Sequence, residues 1–233
     1  MDNSTTGFCG GSPLWDEELL INNTFPEFTE CFRSAVLSHV PSLWLWLVTP
    51  VHVRYVIRHR TEVTTAPCTL HIAKLAVCVL LTALSVTEGV LRVQDSHPAL
   101  ISAAFYLEVI IRSVTFLLAA VLTSISRKAR IASPCVLFFF WTLSLLVNVV
   151  PVYHAVVSET TPSLDGHMIV LCILLGMLVV QFFLNCWAEP LYTDELAEKQ
   201  KTSPEVYVSF LNKITFHWMT SFILVAYRRN AAA

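Results

Sequence analysis

Five apolar stretches, each as long as a hydrocarbon core is thick, constrain this chain more than any other feature. They run over residues 34–57, 70–91, 99–125, 134–157 and 168–187. Crossing a bilayer core takes about 20 residues at about 1.5 Å of rise each. No water reaches an unpaired backbone group there, so each stretch must satisfy its own N–H and C=O groups as a helix. Charged residues make up only 14% of the 233, whereas a soluble domain carries about 25%. The expected fold is all-α: a five-transmembrane-helix bundle over 34–187. A formal net charge of -2 points to no polyanion partner, so no nucleic acid is expected.

The distribution of charge predicts an orientation. Residues 1–33 hold Asp2, Asp16, Glu17, Glu18, Glu27 and Glu30 against Arg33 alone. Arg54, Arg58 and Arg60 flank the end of the first span, and Arg127, Lys128 and Arg130 follow the third. The connections after spans two and four carry Arg92 beside Asp95, Glu159 and Asp165. The Lys/Arg bias therefore predicts cytosolic first and third loops, and an extracellular N-terminus. Residues 1–30 lack the basic and apolar regions of a cleavable signal, so span one is expected to act as the inserting signal.

Two further features suit an outside N-terminal segment. Asn3-Ser4-Thr5 and Asn22-Asn23-Thr24 are glycosylation sequons, and both fall in the segment that the charge rule places outside. Of the seven cysteines only Cys9 and Cys31 lie in that oxidising compartment, where two thiols are expected to pair. Cys68 lies at the cytosolic end of span two, and Cys78, Cys135, Cys172 and Cys186 fall within or at the edge of helices, where a thiol behaves as a small hydrophobe.

Beyond Trp187 the chain changes character. Residues 188–205 are polar, with Pro190 and Pro204, and read as a cytosolic linker. In 206–230, Leu211, Ile214, Trp218, Phe222 and Val225 recur at helical spacing, while Asn212, Lys213 and His217 interrupt the run. A lysine at a bilayer's centre costs about 2.5–3.5 kcal/mol. The stretch is therefore expected to lie in the cytosolic interface with Trp218, Arg228 and Arg229 at the headgroups; a sixth crossing is the alternative. The closing alanines, 231–233, read as a truncation.

The wording FCGGSPLWD at 8–16, NNTFPEFTECF at 22–32 and VPSLWLWLVTP at 40–50 resembles the start of the multidrug resistance-associated proteins, in subfamily C of the ABC transporters. FLNKITFHWMTSFILVAYRR at 210–229 is similar to the segment with which that family enters its first transporter core. The resemblance covers nearly the whole chain, specifically at its ends and generically between them. It implies the extra N-terminal membrane domain of the long members, with a disulfide at Cys9 and Cys31 and glycans at Asn22 and, as a weaker match, Asn3. It also implies a parent that exports organic anions and drug or glutathione conjugates, or, in the sulfonylurea-receptor branch, regulates a potassium channel. Partners would be the bilayer, the parent's own transporter core, and trafficking or channel subunits, with the plasma membrane as address and the vacuolar membrane as alternative.

No G-x-x-x-x-G-K-[ST] phosphate loop occurs, and only Gly10-Gly11 approaches a glycine-rich run. ATP and Mg²⁺ therefore belong to domains of the parent outside this sequence, and no cofactor is expected here. The histidines show no zinc-ligand spacing, and no nucleophile motif is visible. The notable chemistry is charge inside lipid. Glu108 and Arg112 stand i,i+4 in span three, the order that favours an ion pair on one helix face, and at that depth both must face protein or water. They form either a site for a partner, lipid or substrate, or a pair locked in the bundle. Glu88 and Arg92 repeat the spacing near the outer end of span two and are expected to form a solvated pair. Lys74 is expected to snorkel to the cytosolic interface, and Arg127, Lys128 and Arg130 to meet anionic lipid or set the topology. The favoured function is an accessory domain of an exporter, used in folding, targeting and docking; a channel-regulator domain and a self-contained small transporter or receptor are the alternatives.

Overall fold

A computed structural model of the chain describes residues 9, 13–17, 28–58, 68–95, 103–128, 135–158, 166–187 and 215. Asn3, Asn22, the linker 188–205, the stretch 206–230 apart from Thr215, Arg130, and the closing alanines lie outside the described residues, as do the side chains of Lys128, Trp218, Arg228 and Arg229.

A short helix α1 (Glu30–Ala35) and a 3-10 turn (Leu37–His39) lead into α2 (Val40–Arg58), followed by α3 (Thr69–Asp95), α4 (Ala103–Lys128), α5 (Cys135–Ser158) and α6 (Gly166–Cys186). Thr29 starts α1 as its N-cap, with Oγ1 accepting from the Phe32 amide at 3.3 Å, which satisfies one of the donors a helix start leaves open. Among the described residues five helices are long and apolar enough to cross a membrane, the first counted from Cys31 through Arg58. No strand occurs among the described residues.

The five spans close into a ring in the order α2, α4, α3, α6, α5, and α5 returns to α2. Contacts fix the relative directions. Trp46 Nε1 donates to Thr115 Oγ1 at 3.0 Å and His52 Nε2 lies 2.8 Å from Ser126 Oγ, so α2 and α4 run together. Gln181 Nε2 donates to Cys78 Sγ at 3.4 Å while His167 lies near Glu88, so α6 and α3 run opposed. Inside the ring, Leu45, Leu81, Phe116, Leu122, Trp141 and Leu178 are buried, and Phe116 stacks on Trp141 with ring centres 6.0 Å apart.

The outside is apolar too: Leu47, Val51, Ile57, Ile110 and Leu146 are all exposed. That surface suits lipid, where burying apolar groups gives helices no advantage over facing the acyl chains, and association rests on close packing and interhelical hydrogen bonds. Gly89 serves the first of these. A Cβ there would stand 2.9 Å from Val109 Cγ1, so the missing side chain is what lets α3 and α4 approach.

Candidate functional site

At the end of the bundle where α1 sits, α3 and α4 run side by side and bring charges together from two helices. Arg112, about 14 Å along α4 from its start at 1.5 Å per residue, is buried. Its Nε donates to Ser85 Oγ at 3.0 Å, and its Nη2 donates to Glu88 Oε2. Nη1 lies 3.8 Å from Glu108 Oε1. Ser113 Oγ donates to Ser85 Oγ at 3.3 Å, and His167 Nε2 on α6 lies 4.0 Å from Glu88 Oε1. Arg112 is thus the hub of a network spread over three spans, with its charged bonds in a medium where they are far stronger than in water.

This geometry contains the expected Glu108–Arg112 ion pair, adds a second partner for Arg112, and changes two other expectations. The partner that hydrogen-bonds Arg112 is Glu88 on the neighbouring helix, and Glu108, one turn away on the same helix, makes the longer contact. Glu88 is buried and turned to Arg112, not solvated beside Arg92. Arg92 instead stands over the Phe105 ring, 5.0 Å from its centre, a cation–π arrangement. Lys74 does not reach open interface either: it is buried, and its Nζ donates to the Trp187 carbonyl at 3.4 Å. There a cation sits at the C-terminal end of α6, where the helix dipole favours positive charge.

A cavity of about 40 Å³, enough for a few waters, opens beside the network between Arg33, Ser42, Arg92, Glu108, Ser144 and Asn148. Cys9 and Cys31, the latter on α1, are joined by a disulfide, with Cα atoms 5.4 Å apart and a sequence separation of 22.

The opposite end of the bundle has a polar layer of its own. His52 and Ser126, both buried, face each other across α2 and α4. Arg127 is buried, with Nη1 donating to Cys68 Sγ at 3.2 Å, so its head is turned into the protein. Next to the end of α6, Asn185 Nδ2 donates to the Gln181 carbonyl at 2.8 Å, and on the wall of the cavity Asn148 Nδ2 donates to the Ser144 carbonyl at 2.8 Å. Sequence reasoning gave no role to Ser85, His52, Gln181 and Asn185, because the partners of the first three lie on other helices. A signal existed for α6, where Leu171, Leu174, Leu178, Gln181 and Asn185 are its buried residues, spaced three or four apart as one helix face requires.

Comparison with known proteins agrees with this architecture. The family model described as the ABC transporter TMD0 domain matches residues 7–169. The chain is 28% identical over 230 residues to ATP-binding cassette sub-family C member 3 of Rattus norvegicus, covering 94% of this chain and 15% of that protein. It is 26% identical over 223 residues to the Homo sapiens member 3, covering 94% of this chain and 14% of that protein, and 25% identical over 226 residues to the Mus musculus member 2, covering 95% and 14%. The chain therefore spans about 15% of the length of the curated relatives it matches. What is matched is a membrane domain and not a nucleotide-binding one. The chain belongs to the TMD0 domain family of ABC transporters.

Proposed function

We propose that this chain is the accessory N-terminal membrane domain of an ATP-driven exporter of organic anions and of drug or glutathione conjugates. It acts in folding, membrane targeting and partner docking, and the pump lies in other parts of the parent. The reading is supported above all by the Arg112 network, in which this charge meets Ser85, Glu88 and Glu108 within the protein. Arg112 is engaged by side chains of the protein itself, as a residue that shapes the bundle would be. In this reading the N-terminus is extracellular, Asn22 and Asn3 carry glycans, the membrane is the plasma membrane, and ATP and Mg²⁺ bind elsewhere in the parent.

The test is Arg112→Ala in the full-length parent, with vesicular uptake of an anionic conjugate normalised to surface amount. Surface delivery should fall while uptake per delivered molecule stays unchanged; normal delivery with abolished uptake would place these spans in the substrate pathway. Glycosidase treatment should shift the wild-type band and shift an Asn22→Gln variant less. Purification of a potassium-channel subunit with the parent would assign it to the sulfonylurea-receptor branch instead.

A further inference from the structure

The N-terminal segment presents an apolar surface that the ring of spans does not cover. Trp15 meets the Phe32 ring edge-on with centres 5.4 Å apart, and Phe28 stacks on Phe32 at 5.5 Å. Thr29 Oγ1 donates to the Leu14 carbonyl at 2.8 Å, so this stretch is held against α1 by the side chain that also caps the helix. Yet Leu14 is 46% and Trp15 48% exposed. Phe32 accepts from the Val36 amide at 3.0 Å, which puts Val36 one turn further on. From Val36 the exposed apolar surface continues through Val40 and Leu43 to Leu47 on α2, the face turned to lipid.

Depth identifies what covers this surface. Ile57, apolar and exposed, and Arg58, exposed at the end of α2, bracket one boundary of the hydrocarbon. A core about 30 Å thick is about 20 residues of helix, which brings the other boundary to about Leu37. Phe32, and Trp15 packed on it, then stand just beyond that boundary, at the level where tryptophan is enriched because its ring is apolar and its N–H can meet water or lipid phosphate. Asp16 and Glu17 follow at once, giving the segment a polar side for the aqueous phase.

We infer that Leu14 and Trp15 form a hook seated in the lipid headgroup layer, which sets the depth of the N-terminal end of the bundle. This goes beyond the accessory-domain reading and holds in either orientation of the chain. The occupant is the bilayer, since the exposed strip is continuous with the lipid-facing side of α2. A protein docked on the same residues is the competing outcome.

Fluorine NMR of the full 233-residue chain, labelled with fluorotryptophan and held in phosphatidylcholine nanodiscs, tests the hook. The Trp15 line is the one missing from Trp15→Phe, or from Trp15→Tyr if the phenylalanine variant disturbs the other lines. A lipid carrying a nitroxide on its headgroup should broaden that line more than a water-soluble gadolinium chelate does. Broadening by the chelate and not by the lipid would put Trp15 in water, and insensitivity to both would mean that protein covers it. Either result overturns the proposal.

Discussion

Replacing Arg112 by alanine should damage this bundle more than any other single change in its charged network. The substitution removes the donors to Ser85 and Glu88 and the contact to Glu108. It leaves two carboxylates facing each other, with side chains only 5% and 14% exposed. Removing one partner of a buried pair costs about 3–5 kcal/mol in soluble proteins. For a chain of this size each kcal/mol moves the unfolding midpoint by about 2–4 °C, so a fall of about 6–20 °C is expected. Glu108→Gln should cost less than Arg112→Ala, because Glu108 makes the longer contact and Glu88 still holds Arg112. Arg112→Met combined with Glu88→Gln should recover about 1–3 kcal/mol relative to the sum of the single changes, since groups in one network do not act additively. The assay heats detergent-solubilised chain and follows the surviving monodisperse peak by tryptophan fluorescence. A midpoint change for Arg112→Ala below about 2 °C, or full additivity in the double variant, would refute the hub.

Three further outcomes follow from the packing. Gly89→Val should destabilise by about 1–3 kcal/mol through collision with Val109, and adding Val109→Ala should restore much of the loss in the same thermal assay. Cys9→Ser and Cys31→Ser should be equally harmful, at about 3 kcal/mol for a loop of 22 residues in the chain-entropy model; unequal midpoints after matched purification would argue that the effect is not loss of the bridge. His52→Phe should cost about 1–3 kcal/mol by leaving the Ser126 hydroxyl without its partner, and Ser126→Ala in that background should recover most of it.

The fold was legible because lipid leaves so few options: residues 70–91 and 168–187 had to be helical, and α3 and α6 occupy those stretches. Their limits were less so. α3 continues to Asp95, since a helix can keep its bonds into the headgroup layer after the apolar run has ended. Span one, read from residue 34, begins with the tail of α1 and a 3-10 turn before α2. The network was half legible. The i,i+4 rule sees only one helix, so it joined Arg112 to Glu108 and Glu88 to Arg92. The register of α3 against α4, set by the fit of Gly89 to Val109, is what faces Glu88 to Arg112. Lys74 was misread for a related reason: its depth in span two suggested a head drawn out to the interface, while α6 ends beside it and offers the Trp187 carbonyl. Average hydropathy records neither rotation nor neighbours, which is why Gln181 and Asn185 vanish in the most apolar of the five spans.

The central claim, that these five spans place and support a pump without belonging to it, is tested most directly by the transport rate per molecule. The full-length parent is compared with a parent lacking the equivalent of residues 1–187, in inside-out vesicles, with an anionic conjugate as cargo and ATP supplied. Each rate is divided by the amount of folded transporter in the membrane. The account predicts the same ATP-dependent rate per folded molecule for both, with fewer truncated molecules reaching the surface. Loss of ATP-dependent uptake per folded molecule, in a truncated parent that still hydrolyses ATP, would contradict it.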